Sequence, residues 1–436
     1  MKNITTLIIN TFFITTFVFG QPQFIEHVLL DINANDYMNL MAIDASDIDN
    51  DNDIDIFAGA GSSTMGGTKT LWLENDGMEN FSIIELYTQN NHSQHNVIKI
   101  IDLDSDGDKD ILVGFYYNVR WLENDGSQSF TVHDITSLES NIVDINVTDL
   151  DLDGDNDFLV AALSSNDESV YWYDNNGEET FTRSLVAENI QGGRMVKTAD
   201  IDNDGDIDVL TVSDVDNDIA WHENNGSQSF TEHIVSNSFE YPYSADLVDL
   251  DSDGDMDILT GSYTSPTTTV WYSNDGNQNF TEIVISNTGV VDIKGIDIDQ
   301  DGDMDIVTGD GGAIHLFIND GSENFSSSDV ANHNGVQRIR VIDINGDSQL
   351  DILANSWSGS GYLSWYENPT PIAYNGPVWH VTTTGSDDSF SGNGSFDYPF
   401  ATIQHGIDAS SNGDTVLVDA GTYVENINFN GKNIVV

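Results

Sequence analysis

Residues Ile101 to Gly114 read IDLDSDGDKDILVG. Asp102, Asp104, Asp106, Asp108 and Asp110 take every second position of a nine-residue span, Gly107 sits at its sixth position, and an apolar run follows. When the chain turns sharply at the glycine, the carboxylates at positions 1, 3, 5 and 9 converge. Like charges packed this closely raise one another's pKa and oppose folding unless a cation neutralises them. A cage of carboxylate oxygens, without histidine or cysteine, suits a hard ion that accepts six to eight flexible ligands. That is Ca²⁺ rather than Mg²⁺, which demands stricter geometry, or a transition metal.

The span recurs along the chain. A first copy holds Asp47, Asp49, Asp51, Asp53 and Asp55, and the third holds Asp149, Asp151, Asp153, Asp155 and Asp157. The fourth has Asp200, Asp202, Asp204, Asp206 and Asp208, and the fifth Asp249, Asp251, Asp253, Asp255 and Asp257. The sixth has Asp297, Asp299, Asp301, Asp303 and Asp305; the seventh is reduced to Asp343, Asn345, Asp347 and Asp351. Consecutive copies start 46 to 55 residues apart, a period that suits a unit of four short strands.

Other landmarks keep this phase. Each span leads into an apolar strand, a variable loop and an aromatic strand such as RWLEN or AWHEN. Six of the aromatic strands run into an Asn-Asp-Gly or Asn-Asn-Gly turn, followed by a strand opening at Phe81, Phe130, Phe181, Phe230, Phe280 or Phe325. Gly and Asn accept positive φ at low cost, so these steps signal hairpins. The seventh unit lacks its phenylalanine strand and meets Pro369 instead, while Phe24-Ile25-Glu26-His27-Val28 matches Phe230-Thr231-Glu232-His233-Ile234. The N-terminal segment is therefore expected to supply the outer strand of the last unit and close a ring. An open stack would need capping repeats, which are not visible. The expected fold is all-β: a seven-bladed β-propeller whose last blade is closed by an N-terminal strand.

An EF-hand loop opens similarly but ends in Glu at position 12 and lies between helices. Here position 12 is Ala58, Val113, Val160, Thr211, Thr260, Thr308 or Ala354, none of which offers a carboxylate. On these motifs the chain resembles the FG-GAP or VCBS repeat family over about residues 24 to 368, the seven-bladed propeller known from integrin α subunits. The resemblance implies Ca²⁺ in the loop between the first two strands of a blade. It also implies side-chain ligands at positions 1, 3, 5 and 9 and a backbone carbonyl at position 7: Asp102, Asp104, Asp106 and Asp110 with the carbonyl of Asp108, and their counterparts, in five to seven sites. The first loop departs from the pattern with Asn52 at position 6, and the seventh with Gly346 at position 4.

Composition narrows the partners. The chain has 74 acidic against 12 basic residues, a formal net charge of -62, and no cysteine. Nucleic acid and anionic membrane surfaces are poor candidate partners on electrostatic grounds, and no nucleic-acid partner is expected. The start, with Lys2 and an apolar run from Leu7 to Phe19, reads as a secretory signal peptide over residues 1–20. No later stretch would span a membrane. An exported protein without disulfides needs other staples, and bound ions would provide them.

The propeller is expected over residues 21–368, a proline-rich linker over 369–377, and a tail over 378–436. The tail resembles the first coil of a pectate-lyase-like right-handed parallel β-helix through PFATIQHGID, GDTVLVDAGTYVENI and GKNIVV, with a short helix expected from Pro399 to Asp408. No catalytic residues are expected in the propeller. His27, His133 and His233 share one position of the phenylalanine strand and read as structural, and His92 and His95 form an isolated pair. Tyr116, Tyr117, Tyr241, Tyr243, Tyr263, Trp357 and Tyr362 fall in loops opposite the aspartate turns, where binding residues usually sit. The function expected is a secreted or surface-displayed, monomeric binding or adhesion module for an extracellular protein or polysaccharide. The alternative is the targeting module of a polysaccharide-cleaving β-helix enzyme.

Overall fold

The computed structural model describes residues 24–436 apart from 32–36, 63–66, 90–94, 116, 138–140, 164–168, 178–179, 189, 191, 265–266, 357–361, 370–375, 388–391 and 397. The expected signal peptide and most of the expected linker lie outside the described residues.

Seven four-stranded antiparallel sheets follow the repeat. In the second blade the strands, a to d from the centre outward, are His95–Ile101, Asp110–Phe115, Asn118–Asn124 and Phe130–Ser137. Each aspartate span is the a–b loop. The a strands of successive blades touch in turn, and the last, Val336–Ile342, touches the first, Tyr37–Ser46, so the sheets form a ring. In the seventh sheet the outermost position is taken by Ile25–Asp31, paired with Tyr362–Glu367. His27 lies opposite Trp365 there, as His233 lies opposite Trp221 in the fourth blade.

Burial explains the strand patterns. All six residues of Asp110–Phe115, and of the b strand Asp208–Ser213, are buried. A b strand has a neighbouring blade on both faces, so it needs a continuous apolar run rather than alternation. The outer strand Phe230–Ser236, with one blade edge in solvent, leaves Thr231, Glu232 and Ile234 exposed.

The hydrophobic core is a set of seams. One cluster joins Leu112 and Trp121 of the second blade to Ile142 and Phe158 of the third. Another joins Leu30, Leu363 and Trp365 of the seventh sheet to Leu40 and Ile56 of the first. A tryptophan of strand c (Trp72, Trp121, Trp172, Trp221, Trp271, Trp365) is buried in six blades, with Leu316 and Phe317 in the sixth. Each large apolar side chain so buried contributes about 1.5–3 kcal/mol.

The tail has its own small core of Trp379, Val381, Phe400, Ile407 and Val416. Among its described residues it forms one two-stranded parallel sheet, Val378–Val381 with Thr415–Val418, and one helix, Ile403–Ala409. The helix starts later than the sequence suggests. Phe400 bridges to Val381 as extended chain, and Thr402 caps the helix by accepting the His405 N–H at 3.2 Å.

Candidate metal centres and the opposite face

Each a–b loop is wound by its first aspartate. Asp102 Oδ1 accepts the Asp106 N–H at 3.1 Å and Oδ2 the Gly107 N–H at 3.0 Å. Two residues per loop have positive φ: position 4, Ser105 at 61°, and position 6, Gly107 at 97°. Nothing lies within 4 Å of a Cβ built on Gly107, so backbone conformation alone asks for glycine.

The seventh loop corrects the expectation drawn from its sequence. Gly346 at position 4 has φ 75° and Ser348 at position 6 has φ 74°, with the Asp347 and Ser348 N–H groups bonded to Asp343 as in the other loops. Asn52 takes φ 75° in the first loop. Both irregular sequences therefore adopt the common turn.

Carboxylate oxygens of Asp102, Asp104 and Asp110 lie within 4.8 Å of one another. The same holds for Asp149, Asp151 and Asp157, for Asp200, Asp202 and Asp208, and for Asp249, Asp251 and Asp257. In the first loop the three are Asp47, Asp49 and Asp51. Positions 1, 3 and 9 thus converge in at least four loops, and position 5 joins positions 1 and 3 in the first. Oδ1 of Asp49 and of Asp151 is buried without a hydrogen-bond partner. Burial raises the pKa of both side chains, and the adjacent loop carboxylates add to it. An all-carboxylate donor set with orphaned buried oxygens fits a hard cation.

Position 9 does more than face the cluster. Asp110 is fully buried; its Oδ2 accepts the Leu103 N–H at 3.0 Å and its Oδ1 the Asn124 N–H at 2.8 Å. The carboxylate ties the loop to the end of strand c. Burial pushes Asp110 up to about 7, against the pull of these backbone donors, and the other position 9 residues behave alike.

The position 7 side chains point elsewhere. Asp108 packs on the c–d turn of its own blade, where a Cβ on Gly126 would come 2.2 Å from Asp108 Oδ2. Asp53, Asp155, Asp206, Asp255 and Asp303 face Gly77, Gly177, Gly226, Gly276 and Gly321 in the same way. Only their backbone carbonyls remain as candidate ligands. The glycine of the Asn-Asp-Gly turn is required by this close approach as well as by its φ of 70° at Gly126.

The asparagine ending strand c was not singled out from the sequence. Asn124 Nδ2 donates to the Lys109 carbonyl of its own blade at 3.1 Å and to the Ile48 carbonyl of the preceding loop at 3.3 Å. Asn75, Asn175, Asn224, Asn274 and Asn319 make the same bridge, to Ile344, Leu103, Leu150, Ile201 and Leu250. Six of the seven blades are linked to the preceding aspartate loop in this way, while in the seventh Asn368 Nδ2 is buried without a hydrogen-bond partner among the described residues. The signal was present: every aromatic strand from LWLEN to SWYEN ends in Asn.

The histidines of the outer strand pack rather than react. His27, His133 and His233 stack on Trp365, Trp121 and Trp221 with centroids 4.2, 4.6 and 4.5 Å apart, and each meets a glutamate of strand c. The Ser356–His333 hydrogen bond of 2.8 Å pairs a hydroxyl with an imidazole, but both residues are buried and Tyr366 holds the other ring nitrogen. The side chains of His92 and His95 lie outside the described residues.

On the face opposite the aspartate turns, Tyr117, Tyr241, Tyr263 and Tyr362 are exposed and Tyr243 is half-buried; Tyr116 and Trp357 lie outside the described residues. Two of these rings meet on the fifth blade, beside an arginine of the fourth. Tyr243 and Tyr263 have centroids 5.8 Å apart, and the Arg194 guanidinium lies 4.8 Å from the Tyr243 centroid, held by Asp214 at 2.5 Å. The Tyr241 N–H donates to Asn217 Oδ1 at 2.9 Å.

A model of the FG-GAP-like repeat matches residues 102–160, 149–211, 200–260 and 297–354. This chain carries FG-GAP-like repeats. No curated protein matches it. Among solved structures, an Agrocybe aegerita lectin recognising non-reducing terminal N-acetylglucosamine is similar, with 17% identity, 76% of this chain and 86% of that chain covered, and a TM-score of 0.52. BBS1N in complex with ARL6DN is similar over 80% of this chain and 99% of that one, with 9% identity and a TM-score of 0.53. At these identities the likeness shows the shared propeller fold.

Proposed function

We propose that this FG-GAP-like propeller is a secreted, calcium-stabilised binding module that takes an extracellular polysaccharide or protein on the face opposite the aspartate turns. In each repeat Ca²⁺ would be held by the side chains at positions 1, 3, 5 and 9 with the carbonyl of position 7. The ion supplies charge neutralisation, and the surrounding loops supply the geometry. An N-terminal strand sealing the last blade gives the ring a fixed circumference on which the ligand loops are carried.

The observation that carries the ligand reading is the Tyr243–Tyr263 pair beside the Arg194–Asp214 pair, with Tyr241 exposed two residues before Tyr243. Exposed aromatic faces next to a fixed planar cation and carboxylate suit the apolar face and hydroxyl rim of a sugar ring. A glycan array probed with the full chain in excess Ca²⁺, then with Tyr241→Ala and Tyr263→Ala, tests it. The expected result is binding to a subset of glycans, weakened at least about tenfold in the variants at unchanged melting temperature. Binding that ignores both substitutions removes this face from the account.

A second reading rests on the tail. A parallel strand pair with a helix packed at its end is how a parallel β-helix would open, which would make the propeller the targeting module of a polysaccharide-cleaving enzyme. The coding sequence following Val436 decides between them by encoding, or not encoding, further coils.

A further inference from the structure

The centre of the ring concentrates the cations of this acidic chain. Of its twelve lysines and arginines, Lys99, Lys197, Lys294, Arg338 and Arg340 line one cavity formed by the a strands. Three of them are neutralised directly: Arg340 Nε by Asp44 at 2.8 Å, Lys197 Nζ by Asp246 at 2.7 Å, and Lys294 Nζ by Asp292 at 3.3 Å. Arg338 donates to the Gln337 carbonyl, which carries no charge. Asp144, the remaining carboxylate, is engaged by the Val196 N–H at 3.2 Å. Lys99 has no hydrogen-bond or ion-pair partner among the described residues.

The five cations are thus set against four carboxylates, of which Asp144 and Asp292 line the space, and its other walls, including Ile43, Val97 and Met195, are apolar. The cavity measures about 20 Å³. A space needs roughly 10–15 Å³ to hold one water, so one small occupant fits. Asp144 and Asp44 attract the Lys99 ammonium without hydrogen-bonding to it, and that attraction offsets only part of the hydration lost. Burial, and then the charge of Arg340, push Lys99 down to about 8.

We propose that the centre of the propeller is a monatomic anion site, filled by chloride, with Lys99 Nζ as its donor and Arg338 as the flanking cation. A halide restores the charge balance of the tunnel and matches its size. The exterior, at a net charge of -62, turns away polyanions. The bound anion would join a strands that already share hydrogen bonds from blade to blade, such as Ile100 N–H to Asp44 at 3.0 Å and Ile339 N–H to Asp292 at 2.8 Å.

The test uses the full chain at fixed free Ca²⁺. Thermal unfolding is followed as sodium gluconate is replaced by sodium chloride at constant ionic strength, and crystals are soaked in sodium bromide. The expected result is a saturable chloride-dependent rise in melting temperature, half-saturation shifted at least about tenfold in Lys99→Met, and one anomalous bromide peak beside Lys99. Should Lys99→Met fail to fold, the bromide peak on the unmodified chain decides. A water-only density without anomalous signal, or a chloride effect equal in the variant, overturns the proposal.

Discussion

Replacing Asp110 with alanine should separate the two roles of the position 9 carboxylate. Asp110 accepts the Leu103 N–H at 3.0 Å and the Asn124 N–H at 2.8 Å in a fully buried setting. Truncation leaves two buried donors without acceptors, each costing about 1–3 kcal/mol, so the loss is about 2–6 kcal/mol even without metal. The control is Asp106→Ala: Asp106 is exposed and accepts only the Asp108 N–H, at 2.9 Å. Its loss in chelator should be about 0.5–1.5 kcal/mol. In Ca²⁺ both variants lose one ion as well, worth about 2.7 kcal/mol per site when the ion stands at a hundred times its Kd. Urea unfolding followed by tryptophan fluorescence, in EDTA and in Ca²⁺, gives all four values, and Trp121 reports on this seam. Asp110→Ala costing no more than Asp106→Ala in EDTA would refute the assignment of position 9 as a structural tie.

Three further outcomes follow from the same geometry. Chelation of the unmodified chain should lower its melting temperature strongly, with five to seven ions counted by mass spectrometry under native conditions; an unchanged melting temperature would leave the aspartate turns as solvated acid. In EDTA the chain should lose stability between pH 4 and pH 8. The position 9 carboxylates are pushed up to about 7 by burial, and a raised carboxylate contributes fully below its unfolded value of 3.8 and loses that contribution as pH climbs through the folded one. Saturating Ca²⁺ should remove that slope, so a metal-free chain that gains stability over this range contradicts the burial argument. Gly107→Ala meets only backbone strain at φ 97°, costing about 1–2 kcal/mol. Gly126→Ala also drives a methyl into Asp108 and should cost more; equal losses would show that the close approach is relieved cheaply.

The repeat was legible because its parts are local. A turn of nine residues with alternating aspartates closes on itself, and the apolar, aromatic and phenylalanine strands around it announce one blade without reference to any other. The seventh loop shows where composition misleads: Ser348 reaches the left-handed conformation that glycine usually provides, whereas Asn52 in the first loop is a residue that accepts it readily. Positions 7 and 9 show the reverse. Equal aspartates at equal spacing have different surroundings, since Asp108 turns to Gly126 while Asp110 is buried beneath the loop.

What the chain alone determined is the all-β repeat, the number of aspartate loops and the clustering of their carboxylates, because these depend on neighbours a few residues apart. Tertiary structure decided which carboxylate is buried, how Asn124 reaches Ile48, and which charges line the centre of the ring. Three residues before each loop stand Asp44, Lys99, Asn146, Lys197, Asp246, Lys294 and Arg340, a polar series as regular as the aspartates. Its meaning is invisible until seven a strands face one another, because partners such as Asp246 for Lys197 and Asp44 for Arg340 come from other blades. Lys99 differs from Lys197 only in what the neighbouring blades present to it.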